Sequence, residues 1–372
     1  MLAPRKVPFF NYPALFAAQE HELLALFRDV LSRGAYILQR DLAEFEAALR
    51  SYLNVKHAFG VADGTNALKL ALLAHGIGPG DEVVLPAHTY IASAAAIHFT
   101  GAKPVLTESG PDHMIDVAAA KRAITARTKA IMPVQLNGRT ADMDAVMGLA
   151  ESHGLVVIED AAQALGSKFK GRHAGTFGAA GTFSFYPAKV LGCFGDGGAV
   201  VTNDDRAAER LMLLRDHGRN AEGEVVAWGT NSRLDNVQAA VLNFKLKSFA
   251  HDLERRRALA RRYDAGLRDL PVITLPPAPD SDPRHHDVFQ NYEIESDRRD
   301  QLKAYLEEKG VHTIVQFGGK AVHQFAGLGF NGVSLPVTER IYQRLLLLPM
   351  NTTLSDEDVD YIISCVRAFH GL

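Results

Sequence analysis

Apolar positions recur at helical spacing through residues 18–53, which predicts two amphipathic helices, with Phe45, Ala48, Leu49 and Leu53 on the buried face of the second. From Ala58 the pattern changes to short apolar runs separated by helical stretches. Strands are predicted at Ala58–Val61, Asp81–Leu85, Val105–Leu106, Ala130–Val134 and in the run Gly154–Asp160, with helices at Asn66–Ala74, Ile91–His98 and around Asp142–His153. Such alternation predicts an α/β fold built on a mostly parallel sheet covered by helices. A strand over Thr182–Tyr186 stops at Pro187, and Gly195–Gly198 reads as a tight turn into a strand ending at Thr202. A helix through Leu253–Leu267 precedes a Pro-rich stretch from Leu275 to His286. Beyond it come a strand near Phe289–Ile294, a helix over Arg298–Lys309, a strand near Val311–Gln316 and a last helix at Asp356–Phe369. The spacing predicts a large α/β domain over 1–250 and a smaller α+β domain over 251–372, in keeping with a chain too long for one core.

Composition narrows the function classes. A net charge of -3 with mixed signs excludes nucleic acid as the main partner, because phosphate binding needs a clustered basic excess. The densest basic run, Arg255–Arg257 with Arg261 and Arg262, reads as a solvated helix face. Two distant cysteines, Cys193 and Cys365, exclude a disulfide framework and lack metal spacing, so no metal is expected. His285-His286 reads as a solvated pair. The start, Met1–Pro8, has no apolar signal core, and no apolar run reaches the roughly 20 residues that span a bilayer. The expectation is a cytoplasmic protein without membrane contact.

The candidate chemistry lies at the ends of the predicted strands, where open parallel sheets bind ligands. Asp160 ends an apolar strand; it can pair with a protonated ring nitrogen, or simply cap the next helix. Gln163, three residues on, is within reach of the same ring. Gly64-Thr65 opens a helix whose free N–H groups suit a phosphate, although capping is the commoner reason for such a pair taken alone; Asp63 is expected to cap or to face away. Ser184 and Lys189 lie on a strand and the turn after it, a position suited to a Schiff-base lysine or to a surface charge. Tyr90 is either a stacking aromatic or core.

Taken together and in order, Asp63–Leu68, Gly80–Val83, Glu159–Gly166, Ser184–Lys189, Gly195–Ala199, Arg215–Gly218 and Asn231–Asp235 with Gln238–Ala240 resemble the DegT/DnrJ/EryC1/StrS sugar aminotransferases over nearly the whole chain. The resemblance implies the fold of type I pyridoxal 5'-phosphate enzymes, with a mostly parallel seven-stranded sheet. It implies that Lys189 forms the Schiff base and later moves a proton, Asp160 pairs with the pyridine nitrogen, Gln163 meets the ring oxygen, Gly64, Thr65 and Ser184 hold the phosphate, and Tyr90 stacks on the ring. Asn231 is implied to reach the cofactor phosphate of a neighbouring subunit, which requires a homodimer with shared sites. L-Glutamate is the implied donor, pyridoxamine 5'-phosphate the intermediate form, and a nucleotide-linked 3-keto or 4-keto deoxysugar the acceptor, for polysaccharide or natural-product amino-sugar synthesis.

Departures from the family pattern concern the sugar. Gln135 and Asn137 stand where relatives often have His and Tyr, and Gln316, Lys320 and His323 occupy a segment that differs from the family's His-Tyr-Pro pattern. These three, with His217 and Arg233, are candidate substrate contacts, and Gly318-Gly319-Lys320 is either a phosphate nest or a turn. A cyclitol ketone or small keto-phosphate as acceptor, a dehydratase, and a non-catalytic regulatory protein are the alternatives. Related dehydratases have His where this chain has Lys189, which favours transamination.

Overall fold

The computed structural model describes residues 5–372; the first four residues of the Met1–Pro8 start, read as lacking a signal core, lie outside the described residues. Seven strands form the main sheet: β1 (His57–Val61), β2 (Glu82–Pro86), β3 (Lys103–Thr107), β4 (Thr128–Ile131), β5 (Val156–Asp160), β6 (Ala180–Ser184) and β7 (Gly198–Thr202). Their spatial order is β1-β7-β6-β5-β4-β2-β3. Every neighbouring pair from β6 to β3 is parallel, whereas β7 runs antiparallel to both β1 and β6. The fold is therefore α/β with a mostly parallel seven-stranded sheet, as the alternation and the resemblance imply.

The helix Gly64–Ala74 packs its small and branched residues on the sheet, where Ala67, Leu68, Leu70, Ala71 and Leu72 are buried with Val83, Leu85 and Ile158. Where β7 begins, Gly198 passes so close under the Asp63–Gly64 turn that an added Cβ would lie 2.5 Å from the Asp63 carbonyl carbon. A glycine here lets the antiparallel strand seat the start of this helix against the sheet.

A second core gathers Leu259, Tyr263, Tyr292, Ile294, Leu346, Leu348 and Ile362, together with Val7 from the other end of the chain. Its antiparallel sheet is Ile273–Thr274, Tyr292–Ser296 and Leu345–Leu348. The strand expected near Val311–Gln316 does not form. Val311 bridges Val7 and Ile314 bridges Leu347, after which Gln316–Gly319 turns with Phe317 and Gly318 at positive φ. Leu345–Leu348, an apolar run compatible with either helix or strand, takes the sheet position instead.

Other boundaries move for local reasons. The strand expected to reach Val134 stops at Ile131, before Pro133, which lacks an N–H, and Val134 makes only a bridge to Asp160. The strand read as Thr182–Tyr186 runs Ala180–Ser184 and leaves Tyr186 exposed. His285-His286 is not a solvated pair: it forms a short strand against Lys168–Phe169, and the His285 ring lies 5.0 Å from that of Phe169. Helices Asp205–Arg215, Asn236–Leu246 and Pro336–Arg344 complete the coverage. Among the described residues, no helix is long and apolar enough to cross a membrane.

Candidate active site

Gly64, Thr65, Tyr90, Asp160, Gln163, Ser184, Lys189 and Gln316 all line one cavity of about 580 Å³ at the carboxyl ends of the central strands. Asp160 closes β5 and is almost fully buried. Ser93 Oγ donates to its Oδ2 at 2.7 Å and the Ala162 N–H to its Oδ1 at 3.2 Å. No cation forms an ion pair with it among the described residues, and burial raises its pKa against the pull of Ser93, Ala162 and Lys189. A buried carboxylate in this state lacks a positive partner.

Lys189 sits beyond β6 on a turn held by its own N–H donating to Tyr186 O at 2.8 Å. Burial pushes its amine down to about 8, although Asp160 pulls the other way. The amine is thus neutral far more readily than a surface lysine and can act as nucleophile or base. Gln290, brought from the far side of the fold, donates through Nε2 to Ala188 O at 2.7 Å and steadies the same turn.

The phosphate seat is built from a helix start and a strand end. Asp63 caps the helix by accepting from the Asn66 N–H at 2.8 Å and points its second oxygen at Asn66 Nδ2, so it faces away from an incoming anion. The Gly64 and Thr65 N–H groups remain, beside the hydroxyls of Thr65 and Ser184. A Cβ at Gly64 would come within 2.9 Å of Ser184 Cβ, so only glycine leaves this cradle open. Tyr90 stands at the rim, half exposed, with its ring 5.6 Å from that of Phe317. A protonated ring nitrogen for Asp160, an aldehyde for Lys189, a phosphate for the helix start and a flat face for Tyr90 match the donor set of pyridoxal phosphate.

Five further candidates do not reach this cavity within one chain. Asn231 is exposed and bridges the Asp216 backbone; His217 is exposed with φ of 59°. Arg233 is paired with Asp216 at 2.8 Å and Lys320 is exposed. His323 is buried away from the cavity, held by Glu339 at 3.0 Å, so the expectation of a substrate contact there is corrected: its ring already has a carboxylate partner. Gln316 does line the cavity, but its Nε2 is tied to Asn137 Oδ1 at 2.9 Å. Ser93, Gln290 and Asn291 carry no local sequence signal, because their roles arise only from chain crossings remote in sequence. Gln135 is also deeper than its motif suggests, donating through Nε2 at 2.8 Å to Glu159, a buried carboxylate that also accepts the Gly175, Phe177 and Gly178 N–H groups.

Comparison with known proteins identifies the family. The DegT/DnrJ/EryC1/StrS aminotransferase family matches residues 17–367. A dTDP-3-amino-3,4,6-trideoxy-alpha-D-glucose transaminase of Streptomyces venezuelae is 44% identical over 367 residues, covering 97% of this chain and 96% of its own. A pleiotropic regulatory protein of Geobacillus stearothermophilus is 38% identical over 98% of both chains. The crystal structure of S. venezuelae DesV in complex with a ketimine intermediate superposes with a TM-score of 0.94 at 43% identity, covering 99% of each chain.

Proposed function

Because the chain belongs to the DegT/DnrJ/EryC1/StrS aminotransferase family, we propose that it moves the amino group of L-glutamate onto C3 of a nucleotide-linked keto-deoxysugar, with pyridoxal 5'-phosphate as cofactor. The convergence of Lys189 and Asp160 on one cavity carries the chemistry. The 3-amino sugar named for the Streptomyces relative supports the carbon and the dTDP linkage. The family match over residues 17–367 takes in the cavity wall from Gly64 to Gln316.

When bound, the cofactor supplies an electron sink for the pair left when the carbon bearing nitrogen loses its proton. The residues supply the rest. Asp160, short of a positive partner, would keep the ring nitrogen protonated. Thr65, Ser184 and the start of the Gly64–Ala74 helix anchor the phosphate. Lys189 Nζ would hold the cofactor through its aldehyde carbon and, once freed by an incoming amine, would take and return the proton at the substrate carbon, a role suited to a desolvated amine. Donor and acceptor must use this one lysine in turn, so the kinetics are ping-pong.

The exposed Asn231 fits a second subunit's site better than its own, and we take the working form as a homodimer. We read 1–250 as the large domain, 251–372 as the small one, and the cytoplasm as the compartment in which this biosynthetic activity operates. A regulatory reading has one observation in its favour, the name of the Geobacillus relative. Against it stand two desolvated groups, Lys189 and Asp160, facing one cavity, which a protein without turnover has no need to bury. The test is single-turnover reaction of the aminated protein with a panel of dTDP-linked and UDP-linked 3-keto and 4-keto sugars, cyclitol ketones and keto-phosphates. Fastest conversion of a dTDP-linked 3-keto-deoxyhexose is expected; conversion of unlinked ketones alone refutes the substrate assignment.

A further inference from the structure

Behind the cavity wall lies a buried polar cluster, His88, His113 and Glu293, none of which lines the cavity. His88, His113 and Glu293 bring three potential ligand atoms within 4.8 Å of one another. His113 Nδ1 and Glu293 Oε1 are nevertheless in direct contact, which leaves no space for an ion between them, and His113 Nε2 meets Glu295 Oε1 at 3.1 Å. Burial presses the His113 pKa down, but the two carboxylates overcome this and lift it to about 10. Glu295 is also held by Arg344 Nε at 3.0 Å, so two cations and two carboxylates balance. Glu293, thus fixed, keeps Oε2 for the Asn137 Nδ2 donor at 2.9 Å.

Asn137 is tied on every side. Its Oδ1 accepts from Asn291 Nδ2 at 2.8 Å and from Gln316 Nε2 at 2.9 Å. Its backbone is left-handed, with φ of 54°, a conformation that asparagine tolerates better than most residues. In that conformation the Asn137 N–H donates to Gln163 Oε1 at 2.7 Å. An N–H can meet only the carbonyl end of an amide, so the Nε2 donor end of Gln163 is left for the cavity.

We propose that Asn137 is a positioning residue: pinned by Glu293, it sets the Gln163 side-chain amide so that its N–H end donates to the ring oxygen of the bound cofactor. This inference rests on the cofactor reading under the proposed function. Donation to that oxygen draws off the electron density with which it otherwise holds the proton on the lysine-linked nitrogen. Losing the donor therefore tightens proton binding there and moves the pH midpoint of the cofactor's visible band upward.

The experiment is a pH titration of that band in the full-length chain loaded with pyridoxal phosphate, for the unmodified protein, Asn137→Val, Gln163→Ala and the double variant. A β-branched residue removes the pin and disfavours the left-handed backbone. Asn137→Val and Gln163→Ala are each expected to raise the midpoint by about one pH unit, a tenfold change in proton affinity. The double variant should shift no further than either alone. Asn137→Gly, which loses the pin but accepts the same φ, should still raise the midpoint, by about half as much, and serves if the valine variant does not fold. An unmoved midpoint in the Asn137 variants beside a shifted Gln163→Ala overturns the proposal, as do fully additive shifts. A protein that develops no band at all fails the cofactor reading itself, and the inference with it.

Discussion

Replacing Lys189 with Met is expected to stabilise the apoprotein while abolishing turnover. The ordinary lysine pKa of 10.5 is pushed down to about 8 by burial. At about 1.36 kcal/mol per pH unit, that fall corresponds to at most about 3 kcal/mol. The folded pKa is the lower one, so below about 8 the lysine is charged in both states and the folded state bears the full penalty. Between about 8 and 10.5 the unfolded chain binds the extra proton, and stability rises with pH. Methionine, one atom shorter, keeps the unbranched apolar stem and removes the charge. Urea unfolding of apoprotein at equal subunit concentration, near pH 7 and near pH 9.5, separates the two cases. The variant should exceed the parent by about 2–3 kcal/mol near pH 7 and by about half of that near pH 9.5, where most of the folded parent is already neutral. Equal stabilities at both values, or a parent more stable near pH 7, would show that Lys189 is not desolvated and refute this reasoning.

Three other outcomes are expected from the geometry. Gly64→Ala brings a Cβ to 2.9 Å from Ser184 Cβ, and equilibrium dialysis should find cofactor affinity reduced about tenfold or more with the fold unchanged by circular dichroism. If Asn231 acts across a dimer, mixing refolded Lys189→Ala and Asn231→Ala proteins restores about a quarter of full activity, since half the dimers are hybrids with one intact site; no recovery places Asn231 in its own subunit's site. Trp228, the one tryptophan, is 97% exposed in the single chain beside Val225 and Val226; if the proposed homodimer covers this patch, dilution to single chains should shift its emission to the red, and an unmoved emission places the patch outside the interface.

Much of the site is legible in the sequence because it lies on local punctuation. Asp160 ends an apolar run, Gly64-Thr65 opens a helix and Lys189 sits just past a proline-stopped strand, and each places a group at the carboxyl end of the sheet without help from distant residues. Asn137 is visible only as a departure from a familiar pattern. Its partners come from residues 163, 291, 293 and 316, and no local periodicity announces such a meeting. His323 misleads for the same reason: the carboxylate that claims it sits 16 residues on, in the helix Pro336–Arg344 that the pattern does not reveal. The final apolar run Leu345–Leu348 has no alternation to distinguish strand from helix, and only its pairing with Tyr292–Glu295 decides.

Borohydride reduction of the pyridoxal phosphate-loaded protein, with digestion and mass spectrometry afterwards, tests the assignment of the site most directly. One pyridoxyl group per chain is expected, on Lys189, and it should disappear when glutamate is added before the reductant. A label on another lysine, or one on Lys189 that glutamate does not remove, contradicts the assignment.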